Sequence, residues 1–451
     1  MPISTIPNQL KAVITQNMTE AGLNGPDPAV RSRRHIVIYG YSNSLLFNLT
    51  AGAFLTGFWL SLDADADWIS MVIMLASLAN IFQILSPFIL QQIADPKKTL
   101  WIVRLIQHSF NLLAAAVIPL LGFSDQVTLN VVLVFVVMAY LLGALSGPGL
   151  QMWHLKSIPA NLRLGFFSFL HATNVIVTFS ALFLGGLFTD LLTDLSSSRT
   201  AFITLRLILI VIAVADLWTL TKIENPGVPG AIARRRGKGL LELPRHIMAH
   251  RVYLFTILAA ALWAVSASLP GQYFIVYLIS DLGFSYSLIT GVSLLNLVVI
   301  IALTPFWKKM IARFAWMRSF SISTMFFAVG LLAMAFVGEG LPGLILYVIA
   351  SFYTFIMMLG ISLSFTNLTY INMPDENQAS FIALFNSCFH ASILLGIWLG
   401  NRFMTLTSDY DQQPMFLGLV NAQVLLIVTS LLIILSGAAI WQIGRVEKPI
   451  D

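Results

Sequence analysis

The chain has 451 residues, of which 58% are hydrophobic and only 10% are charged. A soluble globular protein carries about 25% charged residues, so this composition excludes a soluble enzyme, a secreted disulfide scaffold and a disordered chain. The apolar residues lie in long blocks separated by short polar segments, as in a polytopic membrane protein. The single cysteine, Cys388, excludes an intrachain disulfide and a CxxC metal or redox site.

The apolar blocks predict an all-α membrane protein. A helix needs about 20 residues to cross the hydrocarbon, and we count twelve such segments, named span 1 to span 12. They lie at about 36–62, 68–92, 98–121, 127–150, 165–189, 200–221, 252–279, 286–308, 315–336, 341–372, 379–402 and 416–443. The predicted organisation is a cytosolic N-terminal tail (1–35), a six-helix bundle (36–221), a basic cytosolic linker (222–251), a second six-helix bundle (252–443) and a cytosolic tail (444–451).

The positions of Lys and Arg predict the topology, because translocating basic residues is disfavoured. Starting from a cytosolic N-terminus, 22 of the 25 basic residues fall in inner segments, which leaves Arg199, Arg206 and Arg402 on the outer side. We therefore expect an integral protein of the inner or plasma membrane, with both termini in the cytoplasm and the lipid bilayer as its surroundings. A basic face beside anionic lipid explains the net charge of +5, so no nucleic-acid partner is expected.

The two predicted bundles resemble each other in the same orientation. The LSPF sequence of residues 85–88 matches the LTPF sequence of residues 303–306 at an offset of 218 residues. Residues 159–166 align with residues 374–381 at an offset of 215. Parallel six-span repeats are one of the known architectures of secondary transporters. The repeat therefore predicts a transporter with two related halves.

With the basic loops after spans 2 and 8, this architecture resembles the major facilitator superfamily over residues 36–443. The resemblance implies two six-helix bundles that rock about a central site lined by spans 1, 4, 7 and 10. It also implies a cytosolic gate made by the loops after spans 2, 4, 8 and 10. The gate candidates are Asp95, Lys97, Lys98, Pro159, Arg163, Lys308, Lys309, Arg313 and Pro374.

Ionisable residues inside a membrane are functional candidates, and few are present here. All acidic residues fall in predicted loops or tails except Asp216, near the cytosolic end of span 6. Proton symport through a buried carboxylate is therefore not favoured. Arg104 and Arg206 lie near span ends, where we expect their side chains to reach the interface. If either points inward, an organic anion becomes the favoured substrate.

Three histidines within the spans, His108, His171 and His390, could carry a proton, although packing between helices is the commoner role of such residues. Neutral polar and aromatic side chains also recur at helical spacing in the spans, and they suit a sugar, a nucleoside or an amphipathic drug-like molecule. Interhelical hydrogen bonding is the alternative. The substrate-binding candidates are Tyr41, Ser44, Asn48, His171, Asn174, Trp263, Ser266, Gln272, Tyr273, Tyr353, Asn386 and His390.

The predicted function is secondary active or facilitative transport of a small polar or amphipathic organic solute by rocker-switch alternating access. A drug or metabolite efflux antiporter is the alternative, and a transporter-like membrane sensor is less favoured. Proton coupling, sodium coupling and uncoupled transport all remain open. We expect no enzymatic activity, no catalytic residue, no cofactor and no metal site, and we expect a monomer.

Overall fold

A computed structural model describes residues 18–86, 89, 93, 95–224, 251–368, 378–410 and 413–444. Most of the predicted tails and of the predicted linker lie outside these ranges. Every predicted span contains a helix, so the all-α prediction is confirmed. Nine helical segments in the described ranges are long and apolar enough to cross a membrane, and a bent pair in span 8 makes a tenth. The helices of spans 1 and 11 complete the set of twelve.

In the first half of the sequence, span 1 comprises Pro28–Asn48 and Gly52–Leu60, and span 2 comprises Ala66–Ile81 with a 3-10 turn at Phe82–Leu85. Span 3 runs from Pro96 to Leu120 through a π-helical turn at Ser109–Ala114. The next three spans are Asp125–Lys156, Arg163–Leu195 and Ser198–Lys222.

In the second half, span 7 comprises Arg251–Ser268 and Tyr273–Val276, and it ends in a π-helical turn at Tyr277–Asp281. Span 8 comprises Tyr286–Val292 and Leu294–Phe314. The last four spans are Trp316–Met334, Gly340–Leu368, Gln378–Leu406 and Asn421–Ile443.

Local sequence explains where several helices begin. The first backbone N–H groups of a helix lack intrahelical partners, and Asp or Ser at the N-cap can accept from them. Asp65 accepts from the backbone N–H of Trp68 at 2.7 Å at the start of span 2. Asp95 accepts from the N–H of Lys98 at 3.1 Å at the start of span 3, where Pro96 occupies the first helical position. The charged residues between apolar blocks therefore define helix boundaries as well as topology.

Spans 1 and 7 are both interrupted in their predicted outer halves. Span 1 breaks between Asn48 and Gly52, and span 7 breaks between Ser268 and Tyr273. Gly52 and Gly271 have φ values of +53° and +52°, which L-residues with a side chain rarely adopt. The two breaks lie at equivalent positions of the sequence repeat.

The described residues divide into two compact units. Unit 1 is built from Met1–Leu55 and Ser86–Arg234, and unit 2 from Thr56–Leu85 and Arg235–Asp451. The end of span 1 and the whole of span 2 therefore pack with the second half of the sequence. This division differs from the predicted bundle boundaries, which follow chain order and remain a prediction.

Each unit has its own apolar core. Aromatic rings at the predicted cytosolic end of unit 1, including Tyr39, Trp153 and Phe166, are almost fully buried. The core of unit 2 is built around Tyr253, Trp263, Phe320, Phe381 and Phe385. Spans 7 and 11 also approach closely within unit 2, because a Cβ atom at Gly396 or at Gly400 would collide with a backbone carbonyl of span 7. Small residues at such contacts are typical of helix packing in membranes.

Candidate functional site

A ladder of neutral polar groups joins spans 1 and 5 within unit 1. The Tyr41 hydroxyl donates to Thr173 Oγ1 at 2.7 Å, and the hydroxyls of Ser44 and Thr178 are bonded at 2.7 Å. The Asn48 amide donates to the backbone oxygen of Ser44 at 2.8 Å and to its Oγ at 3.2 Å. All five side chains are half-buried. Three of the predicted binding residues therefore lie together in one polar patch.

Asn174 lies beside this patch on span 5. Its Oδ1 atom is buried and has no hydrogen-bond partner among the described residues. A buried amide oxygen without a partner costs about 1–3 kcal/mol, so such an atom is a natural acceptor for an incoming hydroxyl or N–H group. The position of the His171 side chain, also predicted to bind substrate, lies outside the description. We define the polar patch as Tyr41, Ser44, Asn48, Thr173, Asn174 and Thr178.

A second feature of unit 1 is a buried ionic cluster near the predicted cytosolic ends of spans 3 and 6. Asp216 is fully buried, and its Oδ2 accepts from Arg104 Nε at 3.0 Å and from His108 Nε2 at 2.9 Å. The Arg104 guanidinium also donates to Asn43 Oδ1 on span 1 at 2.6 Å and to Gln107 Oε1 at 3.1 Å. The cluster therefore connects three spans through one carboxylate and one guanidinium.

The expected positions of the two arginines are wrong. Arg104 does not reach the cytosolic interface, because the buried carboxylate of Asp216 provides the counter-charge that its guanidinium needs inside the protein. Arg206 is also buried, and its Nη1 donates to the backbone oxygen of Asn111 at 2.7 Å. Asp216 neutralises Arg104, which disfavours an organic-anion site at this position. The buried Arg206 keeps an organic anion as an alternative substrate. The signal in the sequence was Asp216 itself, since a carboxylate inside a span requires a partner.

Two of the predicted binding residues of span 7 pack inside unit 2. The Trp263 ring makes edge contacts with Phe320 and Phe327 on span 9, at centroid distances of 6.1 and 5.5 Å. The Ser266 hydroxyl is bonded to the Ser436 hydroxyl on span 12 at 2.6 Å. Both side chains therefore hold span 7 against its neighbours.

The other two, Gln272 and Tyr273, take part in a polar layer at the predicted outer ends of spans 1, 2, 7 and 11. Gln272 Oε1 accepts from the Thr56 hydroxyl at 2.9 Å. The Tyr273 hydroxyl donates to Asp67 Oδ1 at 2.5 Å and to Asn401 Oδ1 at 3.2 Å. The fully buried Ser70 hydroxyl also donates to Asn401 Oδ1. These contacts lie within unit 2, and we call them the outer layer.

Three predicted residues of spans 10 and 11 are only partly buried. Asn386 and His390 have no hydrogen-bond partner among the described residues, and the His390 ring contacts Phe389 at 5.8 Å. A Cβ atom at Gly330 of span 9 would approach the Tyr353 ring to 2.9 Å, so this ring packs against span 9. Asn386 and His390 therefore retain polar groups that are available to a solute.

Several predicted gate residues have structural contacts inside unit 1. Asp95 caps span 3, and Lys97 Nζ donates to the backbone oxygens of Thr221 and Ile223 at 3.2 and 2.6 Å. Lys97 therefore satisfies carbonyls at the end of span 6, where a cation is favourable. The side chains of Lys98, Pro159, Lys309 and Arg313 are exposed. Pro374 lies outside the described residues, and so do the side chains of Arg163 and Lys308.

Within the described ranges, no three His, Cys, Asp or Glu side chains come together in a way that could hold a metal ion. The polar patch offers neutral hydrogen-bond donors and acceptors, whereas the buried charges of unit 1 lie at the ionic cluster, at Arg33 and at Arg206. Hydrogen bonding, stacking and proton binding are within reach of these groups.

The family model described as Major Facilitator Superfamily matches residues 110–397. No curated protein matches the sequence significantly. The fold is similar to solved transporters, although sequence identity is low. The nucleoside transporter NupG has a TM-score of 0.62 and 14% identity, with 92% of this chain and 100% of that chain covered.

Two further solved structures have the same fold. A bacterial homologue of the iron transporter ferroportin, in an inward-facing state, has a TM-score of 0.66 and 13% identity, with coverage of 92% of this chain and 98% of that chain. The xylose transporter XylE from E. coli, in a partially occluded inward-open conformation, has a TM-score of 0.61 and 10% identity, with coverage of 92% and 96%.

Proposed function

The chain belongs to the Major Facilitator Superfamily and is a membrane transporter rather than an enzyme, and we propose that it carries a small, neutral, polar organic solute by rocker-switch alternating access. The solute contacts the polar patch of unit 1. Asn386 and His390 of unit 2 stay predicted binding residues. A sugar or a nucleoside has the hydroxyl groups that these side chains recognise.

The polar patch is the single observation that carries this proposal. Its hydroxyls already bond one another between spans 1 and 5, so they hold the two helices in register while half-buried. The Asn48 amide group donates within the patch, which leaves its Oδ1 as an acceptor. Together with Asn174 Oδ1, it provides two neutral acceptors for solute hydroxyl or N–H groups. Such a site orients a polar solute without the desolvation free energy that a buried charge would cost.

The transporters with similar folds carry solutes that guide the choice of probes. NupG is a nucleoside transporter and XylE is a xylose transporter. Uridine and D-xylose are both neutral and rich in hydroxyls, which agrees with the chemistry of the polar patch. Fe²⁺ serves as the contrasting probe because the ferroportin homologue is related to an iron transporter.

The test is counterflow in proteoliposomes preloaded with unlabelled solute. We expect wild-type protein to exchange labelled uridine or D-xylose, and not labelled Fe²⁺. Asn48→Ala and Asn174→Ala should each lower the exchange rate by about threefold to tenfold, the equivalent of one lost hydrogen bond.

Thr50→Ala is the matched control, because the Thr50 hydroxyl bonds to backbone oxygens of its own helix. Its exchange rate should equal that of the wild type. Unchanged exchange in both asparagine variants would place the solute elsewhere. Binding of these solutes without flux would contradict transport itself.

A further inference from the structure

A groove lies between spans 2 and 11 within unit 2. Hydrogen bonds join the two helices at both ends of this stretch. The Ser70 hydroxyl donates to Asn401 Oδ1 at the predicted outer end, and the Ser387 hydroxyl donates to the backbone oxygen of Ile81 at 3.2 Å at the other end. Between these contacts the side chains leave a groove of about 450 Å³, which lies in the size range of small-molecule sites. The two helices therefore meet on either side of a space that neither of them fills.

The walls of the groove are apolar and follow one face of each helix. On span 2 they run from Met71 to Leu78. On span 11 they run from Ala391 to Trp398, and in both helices the lining residues recur at i, i+3, i+4 and i+7. Seven residues of helix are about 10 Å long. Leu78, Leu395 and Trp398 are between 40% and 48% exposed. Apolar side chains exposed in the middle of a membrane span face hydrocarbon, so the groove opens towards the acyl chains of the bilayer.

A cation lies at the predicted outer end of the groove. Arg402 follows Trp398 by four residues on the same face of span 11, and its guanidinium carbon lies 5.6 Å from the centre of the Trp398 ring. Arg402 is exposed. In the described ranges no carboxylate lies within ion-pair distance of it. The groove thus combines apolar walls with one cationic end.

Arg402 differs from the other two basic residues of the predicted outer side. Arg199 forms an ion pair with Asp125 at 3.5 Å, and Arg206 is buried. A basic residue is disfavoured on the translocated side of a membrane protein, so its charge there calls for a counter-charge. Lipid phosphate provides one at the membrane interface, and the N–H groups of a guanidinium match phosphate oxygens in pairs.

We propose that this groove binds one phospholipid with an anionic head group, an inference that does not depend on the transported solute. One acyl chain lies along the apolar walls between spans 2 and 11. The Arg402 guanidinium donates to phosphate oxygens of the head group. The Trp398 ring lies beside the guanidinium at the level of the membrane interface, where amphipathic aromatic rings are favoured. A net negative head group is attracted more strongly than a zwitterionic one, whose own cation offsets its phosphate.

The lipid contacts both helices, so its binding is linked to their packing. A ligand that binds one arrangement of a protein stabilises that arrangement. Bound lipid therefore favours the arrangement in which the hydroxyls of Ser70 and Ser387 join span 2 to span 11.

The test compares two photoreactive probes in bilayers of phosphatidylcholine. One is a phosphatidylglycerol and the other a phosphatidylcholine, and both carry the same diazirine-bearing acyl chain. Mass spectrometry of the labelled full chain gives the yield of label on the groove walls of spans 2 and 11. Each yield is divided by the yield on Ile345 and Ile349, which are exposed apolar residues of span 10 outside the groove. This ratio reports the preference of a lipid for the groove.

We expect the ratio for phosphatidylglycerol to exceed that for phosphatidylcholine by about fivefold, the effect of one basic residue near the membrane surface on an anionic lipid. Arg402→Gln should remove the difference, and Arg402→Lys, which keeps the charge, should retain most of it. Arg199→Gln is the matched control, because it removes a charge of the predicted outer side that Asp125 already balances. It should leave the difference unchanged.

A second pair of variants tests the part of the site that holds the acyl chain. Ala391→Trp places a large ring in the groove, so the preference for phosphatidylglycerol should disappear from the span 2 wall. Ala438→Trp makes the same change at an exposed position of span 12, outside the groove, and should retain the preference.

Equal ratios for the two probes in the wild type would overturn the proposal, because a lipid that only covers the helices has no head-group preference. A preference that persists in Arg402→Gln or in Ala391→Trp, or one that is lost in Arg199→Gln, would overturn it as well. Absence of label from the groove walls with both probes would do the same, since a second copy of the chain or another protein segment would then fill the groove.

Discussion

Spans 3 and 9 occupy equivalent places in the sequence repeat but have opposite interiors. At the 215-residue offset, Arg104 and His108 of span 3 correspond to Ser319 and Ser323 of span 9. All four side chains are buried. In span 3, Arg104 and His108 both contact the carboxylate of Asp216. In span 9 the Ser323 hydroxyl donates to the backbone oxygen of Ser319 at 2.8 Å.

The comparison shows that span 3 contributes buried charge where span 9 has buried serine hydroxyls. A serine hydroxyl that donates to a backbone oxygen of its own helix has a hydrogen-bond partner, so its burial costs little free energy. A buried ion pair in its place is often no more stabilising than apolar residues of similar volume. The cost of the pair at spans 3 and 6 therefore points to function, and the serines of span 9 to packing.

The largest expected effect breaks the ionic cluster. Asp216→Leu leaves the Arg104 guanidinium buried without a counter-charge, and we expect about 3–5 kcal/mol of destabilisation. The measurement is thermal unfolding in detergent together with the yield of folded protein. The double variant Arg104→Met/Asp216→Leu should recover most of the loss, because it removes both charges. A double variant as unstable as the single one would contradict the account.

Ser323→Ala is the corresponding change in span 9. It removes a hydroxyl that bonds to its own helix, so we expect a loss of less than about 1 kcal/mol. An effect as large as that of Asp216→Leu would remove the contrast between the two spans.

An intermediate effect is expected in the outer layer. Tyr273→Phe removes the donor to Asp67 and Asn401. Since Asp67 is exposed, we expect the equilibrium to shift by about 0.5–1.5 kcal/mol towards an open outer layer. The measurement is the rate at which a maleimide labels a Ser70→Cys reporter in protein that also carries Cys388→Ala, and this rate should rise.

Tyr277→Phe is the control for this change, because its hydroxyl donates to the backbone oxygen of Val337 at 3.1 Å instead. Its labelling rate should stay that of the parent protein. Equal rates in both variants would show that the Tyr273 contacts do not hold the outer layer closed.

An effect of similar size is expected at the contact between spans 7 and 12. Ser266→Ala and Ser436→Ala remove the two sides of one hydroxyl pair, so each should lower the unfolding free energy by about 0.5–1.5 kcal/mol. The double variant should lose less than the sum of the two, because the residues share one interaction. Additive losses, measured by thermal unfolding, would show that the two hydroxyls act independently.

Much of the fold follows from the sequence, because twenty apolar residues in a bilayer have few alternatives to a helix. All twelve predicted spans are helical. The breaks in spans 1 and 7 were not predicted, although Pro270-Gly271 is a recognisable turn signal. Span 2 was placed with the first bundle by chain order, whereas its contacts place it in unit 2.

The candidate site was harder to predict, because contacts between helices distant in sequence decide it. Tyr41, Ser44 and Asn48 share a helical spacing, and their bonding to one another and to span 5 is consistent with a common face. Asp216 and Arg104 are 112 residues apart, and no periodicity joins them. Tyr273 was predicted from residue type and helical spacing and Gln272 from its place beside it, and neither signal distinguishes a solute site from the outer layer.

The most direct test of the account is counterflow through protein whose polar patch is altered. Proteoliposomes preloaded with unlabelled uridine or D-xylose receive the same solute in labelled form. The account predicts exchange with wild-type protein, a rate lower by about threefold to tenfold in Asn48→Ala and in Asn174→Ala, and an unchanged rate in Thr50→Ala. No exchange with the wild type, or equal rates in all four proteins, would contradict the claim that the polar patch binds a transported solute.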